Sequence, residues 1–139
     1  CHVHERFSAE SIAALKEKYP GAPVLVHPEC KRPVVLMADK VGSTAVLLKY
    51  ALESDSDTFI VATESGILHQ MRKGAPHKTF IPAPPVDSTC GCNDCNYMKL
   101  NTLEKLRDCL RDETNEINVE PALAAKALIP INRMLELSK

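Results

Sequence analysis

The sequence lacks the features that mark several common classes of protein. Its formal net charge is −1 over 139 residues and it contains no block of basic residues, so nothing in it favours nucleic acid binding. No apolar run approaches the length that crosses a bilayer and no signal-peptide pattern is present, so no membrane protein is indicated. Hydrophobic residues at 45% and charged residues at 25% are ordinary values for a globular chain with a hydrophobic core.

Cysteine is the residue type that stands out. Three of the six cysteines, Cys90, Cys92 and Cys95, lie within six residues of one another. Thiols this close on one loop are typical of metal or redox chemistry. Because no secretory signal accompanies them, we expect a reducing, cytoplasmic compartment and metal binding before a disulfide framework. The sequence also begins at Cys1, inside residues 1–4 that have the pattern of a β-strand, so we expect a portion of a longer chain.

Strand and helix patterns alternate along most of the sequence. Strands are predicted over residues 23–27, 58–63 and 79–81, with a brief strand or turn at 41–43, and helices over 8–18, 33–38, 45–52 and 67–72. This alternation predicts an α/β fold, a three-layer αβα domain with a parallel sheet and helices on both faces. We expect that domain to occupy residues 1–95. Residues 96–139 are predicted to be helical, over 100–110 and over 122–137 with an interruption at Pro130.

Polar residues follow the predicted strands, at the point where each strand ends. In parallel sheets, ligands bind at the carboxyl ends of the strands, where the loops converge. The residues at those positions are His4, His27 with Glu29, Ser43 with Thr44, and Thr63 with Glu64, and the cysteine loop follows the last strand. The sequence therefore predicts that these groups share one edge of the sheet.

The cysteine and histidine motifs each allow more than one interpretation. Cys92 and Cys95 have the two-residue spacing of a metal knuckle or a redox pair, and Cys90 adds a third thiol. His27 and Glu29 flank a proline that stiffens their turn, so they suit an anion binder and a general base. For this motif taken alone, the plainer interpretation is an exposed loop histidine and a surface glutamate.

The segment Gly42-Ser43-Thr44 opens a predicted helix and also has two interpretations. Its hydroxyls and free backbone N–H groups suit a phosphate or carboxylate. The same pattern is that of a plain helix N-cap. Cys30 follows the His27–Glu29 turn and receives no role.

Together these motifs resemble the quinolinate synthase family, iron–sulfur enzymes of NAD biosynthesis. The matching segments are residues 1–5, 26–29, 41–44, 61–64, 92–101 and 126–135, so the resemblance runs the length of the chain. It implies a fold of three similar αβα domains around a central 4Fe–4S cluster, with one cysteine contributed by each domain. By this resemblance the chain corresponds to the third domain and the C-terminal helices, and is incomplete for catalysis by itself.

The resemblance also implies a reaction and a set of roles. The family, a group of transferases, condenses iminoaspartate with dihydroxyacetone phosphate to give quinolinate, with loss of phosphate and water. Cys1 and Cys95 match two cluster ligands, and the open iron acts as a Lewis acid. The implied substrate-binding residues are His4, His27, Glu29, Ser43, Thr44 and Asn101, with Glu29 as the acid/base and both histidines in the catalytic set. An aspartate-oxidising enzyme is the implied source of iminoaspartate, and neither nucleic acid nor a membrane is an implied partner.

One feature departs from the family pattern. Some members carry two further cysteines that can form a disulfide, but here Cys90 and Cys92 are separated by Gly91 alone, and such a bridge is strained. The main rival interpretation is a zinc-stabilised structural or interaction module with Cys90, Cys92 and Cys95 as ligands. Metal content separates the two, since one requires iron with labile sulfide and the other stoichiometric zinc. A phosphate-binding domain without metal would leave the cysteines unexplained.

Overall fold

The computed structural model describes residues 1–86 and 93–138. Within these residues four parallel strands form one sheet in the order β2-β1-β3-β4. The strands are β1 (Val24–Val26), β2 (Lys40–Val41), β3 (Thr58–Ala62) and β4 (Thr79–Pro82). Leu25 on β1 is paired with Lys40 on one side and with Val61 on the other. The predicted α/β class and parallel sheet are confirmed.

The described residues contain seven α-helices. They are α1 (His2–Glu5), α2 (Ala9–Lys18), α3 (Arg32–Val35), α4 (Thr44–Glu53), α5 (Ile67–Gly74), α6 (Leu103–Asp112) and α7 (Pro121–Leu137), with a single 3-10 turn at Met98–Leu100. Local chemistry explains where α2 begins, because the Ser8 hydroxyl accepts a hydrogen bond of 3.1 Å from the Ser11 N–H. The four helices predicted between residues 8 and 72 are confirmed.

Alternation along the strands sends apolar side chains to both faces of the sheet. Val24 and Val26 pack on one face with residues of α2 and α3. Leu25 points to the other face, where Leu47 of α4 and Met71 of α5 complete a second buried cluster. Since β1 is buried on both faces it carries no polar residue, and its polar neighbours come only after it ends. Because the two apolar clusters cover both faces of the sheet, the polar site residues lie at the edge formed by the carboxyl ends of the strands.

The predicted strand at residues 1–4 is wrong. These residues form α1, which the His4 N–H to Cys1 carbonyl hydrogen bond of 3.0 Å closes into a turn. In a strand, Val3 and His4 would point to opposite faces, whereas in this turn both neighbours are buried, at 0% and 7% exposure. Burial against the rest of the chain decides the conformation of a segment too short to show a helical period.

The predicted interruption of the last helix is also wrong. α7 continues through Pro130. A proline inside a helix removes one backbone hydrogen bond and strains the turn before it. The flanking leucine- and alanine-rich residues have high helix propensity, which favours helix on both sides of that defect.

The chain forms two compact units, Cys1–Lys99 and Leu100–Lys139. The first contains the sheet. The second contains α6 and α7, with α6 capped by the Thr102 hydroxyl and α7 by the Glu120 carboxylate. Among the described helices, none is long and apolar enough to cross a membrane.

Lys78 caps the carboxyl end of α4 from the neighbouring segment. Its Nζ lies 3.0 Å from the Ala51 carbonyl oxygen and also donates to the Ser54 carbonyl. A cation at a helix C-terminus satisfies free carbonyls and complements the helix dipole. Lys78→Met is therefore expected to lower the free energy of unfolding by about 1–2 kcal/mol, measured by urea denaturation followed by circular dichroism. The exposed Lys73→Met is the control, and an equal loss in both variants would contradict the capping role.

Candidate functional site

The carboxyl ends of β1 and β3 bring two polar side chains, those of Glu29 and Thr63, to His4. The Nδ1 atom of His4 lies 3.1 Å from Oε2 of Glu29, and Nε2 of the same ring lies 3.0 Å from Oγ1 of Thr63. His4 and Thr63 are buried, whereas the Glu29 side chain is 52% exposed. The buried His4 imidazole therefore lies behind the Glu29 carboxylate and holds it at the surface.

The turn after β1 places His27 against His4. The His27 N–H donates to the Ala62 carbonyl at 3.2 Å, which extends the β1–β3 pairing by one bond. The Glu29 N–H donates to Nδ1 of His27 at 3.3 Å and orients that ring. The two imidazoles stack with their centroids 4.1 Å apart and their planes 6° apart. The sequence-predicted convergence of His4, His27 and Glu29 is present in the structure.

The electrostatic setting favours an ionised Glu29 and a neutral His27. An exposed glutamate is ionised at neutral pH, and Oε2 of Glu29 lies 3.1 Å from Nδ1 of His4, within hydrogen-bonding distance. Partial burial, and next the neighbouring His4, lower the pKa of His27. At neutral pH the pair therefore offers one exposed carboxylate and one uncharged imidazole.

Ser43 and Thr44 lie after β2, next along the same sheet edge. The Gly42 N–H donates to the Val26 carbonyl at 3.2 Å, and a Cβ at Gly42 would approach the Val46 side chain to 2.5 Å, so only glycine fits. Ser43 is the N-cap of α4, its hydroxyl accepting from the Val46 N–H at 3.4 Å. The plain interpretation of Ser43 is thus realised, and binding of an anion by Ser43 or Thr44 stays a prediction.

Residues 93–95 dock at this edge between α1 and the turn after β3. The Asn93 side-chain amide donates to the Val3 carbonyl at 3.2 Å, and the Ser65 N–H donates to the Asn93 carbonyl at 3.4 Å. The Cys95 N–H donates to Oε1 of Glu64 at 3.3 Å, and Cys95 is buried. The segment that carries Cys95 and the helix that follows Cys1 are therefore joined to each other directly.

Sequence comparison identifies the family of proteins to which the chain is similar. The family model described as "Quinolinate synthetase A protein" matches residues 1–136. The chain belongs to this family. The resemblance carried by the motifs is confirmed.

Named relatives agree with that family. The chain is 56% identical over 138 residues to a quinolinate synthase of Microcystis aeruginosa, 53% over 139 residues to one of Chloroherpeton thalassium, and 55% over 138 residues to one of Thermosynechococcus vestitus. These alignments cover 99–100% of this chain and 43% of each relative. The chain thus spans less than half the length of the quinolinate synthases that it matches.

The donor atoms at the site suit a metal or an iron–sulfur group. Cys1 and Cys95 are free thiols, and ligand atoms of Cys1, His4 and Glu29 all lie within 4.8 Å of one another. In the part of the chain that the structure describes, this group of three residues does not include Cys95. Cys90 and Cys92, which the zinc interpretation requires, lie outside the described residues. Cys1 and Cys95 lie on two segments that the Asn93–Val3 hydrogen bond joins, and cysteine thiols are soft ligands that suit a transition metal.

The sequence pattern does not predict the contacts of two residues that complete the site's packing, Thr63 and Asn93. It predicts that Thr63 lies at the sheet edge, but not that it bonds to His4. Asn93 carried no signal, since an asparagine on a cysteine-rich loop is expected at any turn. Asn101 lies in the unit Leu100–Lys139 and is exposed, so its predicted role at the site stays a prediction.

Cys30 is a buried thiol that faces the core and not the site. Its Sγ lies 3.6 Å from the Ala62 carbonyl oxygen, and burial raises the pKa of the thiol to about 11. Since the thiolate is the reactive form, Cys30 is expected to resist iodoacetamide at about pH 8 until the chain is unfolded, while the exposed Cys1 is alkylated. Peptide mapping by mass spectrometry measures both sites. Equal alkylation rates of Cys30 and Cys1 in the folded chain would contradict this placement.

Proposed function

We propose that this chain provides the substrate site and two cluster ligands of a quinolinate synthase, which condenses iminoaspartate with dihydroxyacetone phosphate to give quinolinate. One observation carries the proposal. In a chain that belongs to the family, His4, His27 and Glu29 meet at the carboxyl edge of the sheet, beside the joined segments that bear Cys1 and Cys95.

Glu29 is the proposed acid/base of the tautomerisation and dehydration steps. Its carboxylate is exposed enough to reach a bound molecule, and the hydrogen bond from His4 fixes its direction. A general base must lie within hydrogen-bonding reach of the proton it removes, and an exposed carboxylate that a buried ring orients is accessible to a bound substrate. His4 and His27 complete the proposed substrate site.

Cys1 and Cys95 are the proposed ligands of a 4Fe–4S cluster. When bound, such a cluster with one open iron supplies a Lewis acid for a substrate carboxylate or hydroxyl. The chain's contribution is to hold two thiols in place, through the Asn93–Val3 bond and the Cys95–Glu64 bond. The remaining cysteine ligand would come from a part of the protein beyond these 139 residues.

Ser43, Thr44 and Asn101 are proposed to bind the phosphate or carboxylate groups of the substrates. The first two stand at the N-terminus of the ten-residue α4, where free N–H groups favour an anion. Iminoaspartate would be supplied by an aspartate-oxidising enzyme, and the proposed location is the cytoplasm.

A chimera tests the proposed function. These residues replace the matching 138 residues of the Microcystis aeruginosa relative, and quinolinate formation from iminoaspartate and dihydroxyacetone phosphate is measured without oxygen. The unaltered relative is the positive control. We expect the chimera to form quinolinate, whereas a folded chimera that binds the cluster and forms none would overturn the proposal.

A further inference from the structure

Glu64, one of the polar residues predicted at the sheet edge, joins two backbone segments there. Its Oε1 accepts a hydrogen bond of 3.3 Å from the Cys95 N–H, and its Oε2 accepts one of 2.8 Å from the Gly66 N–H. The side chain is half-buried. Because each oxygen of this carboxylate has its own N–H donor, Glu64 connects the turn after β3 to the segment that carries Cys95.

The residue at position 66 leaves room for that carboxylate. Gly66 has the ordinary right-handed helical backbone, with φ −58° and ψ −27°, so no backbone strain requires a glycine there. A Cβ at this position would lie 2.7 Å from Oε2 of Glu64, which is closer than ordinary van der Waals contact. Any larger side chain at position 66 would therefore displace the carboxylate of Glu64 from its present position.

Two further contacts tie the same turn to the residues that precede Cys95. The Ser65 N–H donates to the Asn93 carbonyl at 3.4 Å, and the Ser65 hydroxyl donates to the Asp94 carboxylate. The Glu64 bond extends this attachment to Cys95 itself. Since the Cys95 side chain is only 7% exposed, its thiol becomes accessible when the segment moves away from the turn.

We propose that Glu64 is a positioning residue for the Cys95 thiol: its carboxylate fixes the Cys95 backbone against the turn after β3, and Gly66 keeps free the space in which that carboxylate lies. Groups that bond to a metal-ligating residue orient it and tune the site. Here the hold on Cys95 exists before any metal is bound. That Cys95 is a cluster ligand rests on the proposed function, whereas the hold of Glu64 on Cys95 does not.

The rate at which the Cys95 thiol is alkylated measures this hold. The metal-free, reduced 139-residue chain is treated with iodoacetamide, and tandem mass spectrometry separates Cys95 from Cys90 and Cys92. Cys30 is the internal reference, because it lies in the apolar core and becomes accessible only when that core opens. A local release therefore accelerates Cys95 alone, whereas a general loss of stability accelerates both thiols.

Two variants remove the hold in different ways. Glu64→Gln keeps the size of the side chain but replaces one acceptor oxygen by an NH₂ group, which cannot accept from either N–H. Gly66→Ala keeps the carboxylate, and alanine favours helix, but its Cβ displaces Oε2 of Glu64. We expect each variant to alkylate Cys95 about tenfold faster than the parent chain, the order of change that the loss of one hydrogen bond brings, with Cys30 unchanged. The exposed Glu10→Gln is the matched control and should leave both rates at the parent value.

Three results would overturn the proposal. They are a Cys95 rate that neither variant changes, a Cys95 rate that rises only together with that of Cys30, and a rise in Glu64→Gln that Gly66→Ala does not share, since this last result would depend on charge and not on position. If Glu64→Gln does not fold, Gly66→Ala decides the question by itself. The measurement involves neither metal nor turnover, so a chimera that forms no quinolinate would contradict the proposed function alone.

Discussion

Replacing Glu29 by glutamine in the chimera is expected to lower kcat for quinolinate formation by about 10²–10⁴-fold, the usual contribution of a positioned acid/base. Glutamine keeps the size of the side chain and still accepts a hydrogen bond from Nδ1 of His4. What it loses is the ability to take and return a proton. The expected signature is therefore a fall in kcat with a much smaller change in KM, measured by steady-state kinetics without oxygen.

The matched control for this variant is Glu5→Gln, an exposed carboxylate on α1, four residues after Cys1. It removes the same charge from the same part of the chain without touching the His4–Glu29 bond. The control is expected to keep activity within about twofold, because surface substitutions of this kind change stability little. Equal losses in both variants, or a Glu29→Gln enzyme close to full activity, would remove Glu29 from the acid/base role.

Replacing Cys95 by serine is expected to remove most of the bound iron and sulfide from the reconstituted chimera. Serine preserves the volume of this buried side chain, and the Cys95 N–H bond to Glu64 does not depend on the sulfur. Iron–sulfur clusters are held by cysteine thiolates, so the hydroxyl is a poor replacement. Cys1→Ser is expected to have the same effect, measured as iron and labile sulfide per chain.

Two other cysteines provide the controls for that prediction. Cys109 lies on α6, where its Sγ contacts the Thr114 carbonyl oxygen at 3.2 Å, and Cys30 faces the apolar core. Cys109→Ser and Cys30→Ser are both expected to retain iron and sulfide. Retention of the cluster in Cys95→Ser, or its loss in Cys109→Ser, would contradict the proposed ligands.

The sheet and the convergence of the site residues could be predicted because both follow from local patterns. Val24–Val26 and Thr58–Ala62 are rich in apolar and β-branched residues, and the helices between them begin and end at recognisable signals. Parallel strands put their carboxyl ends at one edge, so His27 and Glu29 were placed beside the end of β3 by topology alone.

The parts that could not be predicted depend on contacts between distant residues. α1 is helical because Val3 and His4 are both buried there, and four residues are too few to show a period. The His4–Thr63 hydrogen bond joins residues 59 positions apart, and its existence depends on the direction of each side chain. Alternation identifies the face on which a residue lies, but not which nitrogen of a ring meets which hydroxyl.

The most direct measurement is the metal content of the chain after anaerobic reconstitution with iron, sulfide and zinc together. Membership of the quinolinate synthase family and the two free thiols at the site predict bound iron with labile sulfide, lost in the Cys95→Ser variant. Tight stoichiometric zinc that requires Cys90 and Cys92, with no uptake of iron and sulfide by the chain or by the chimera, would contradict the cluster and favour the zinc module.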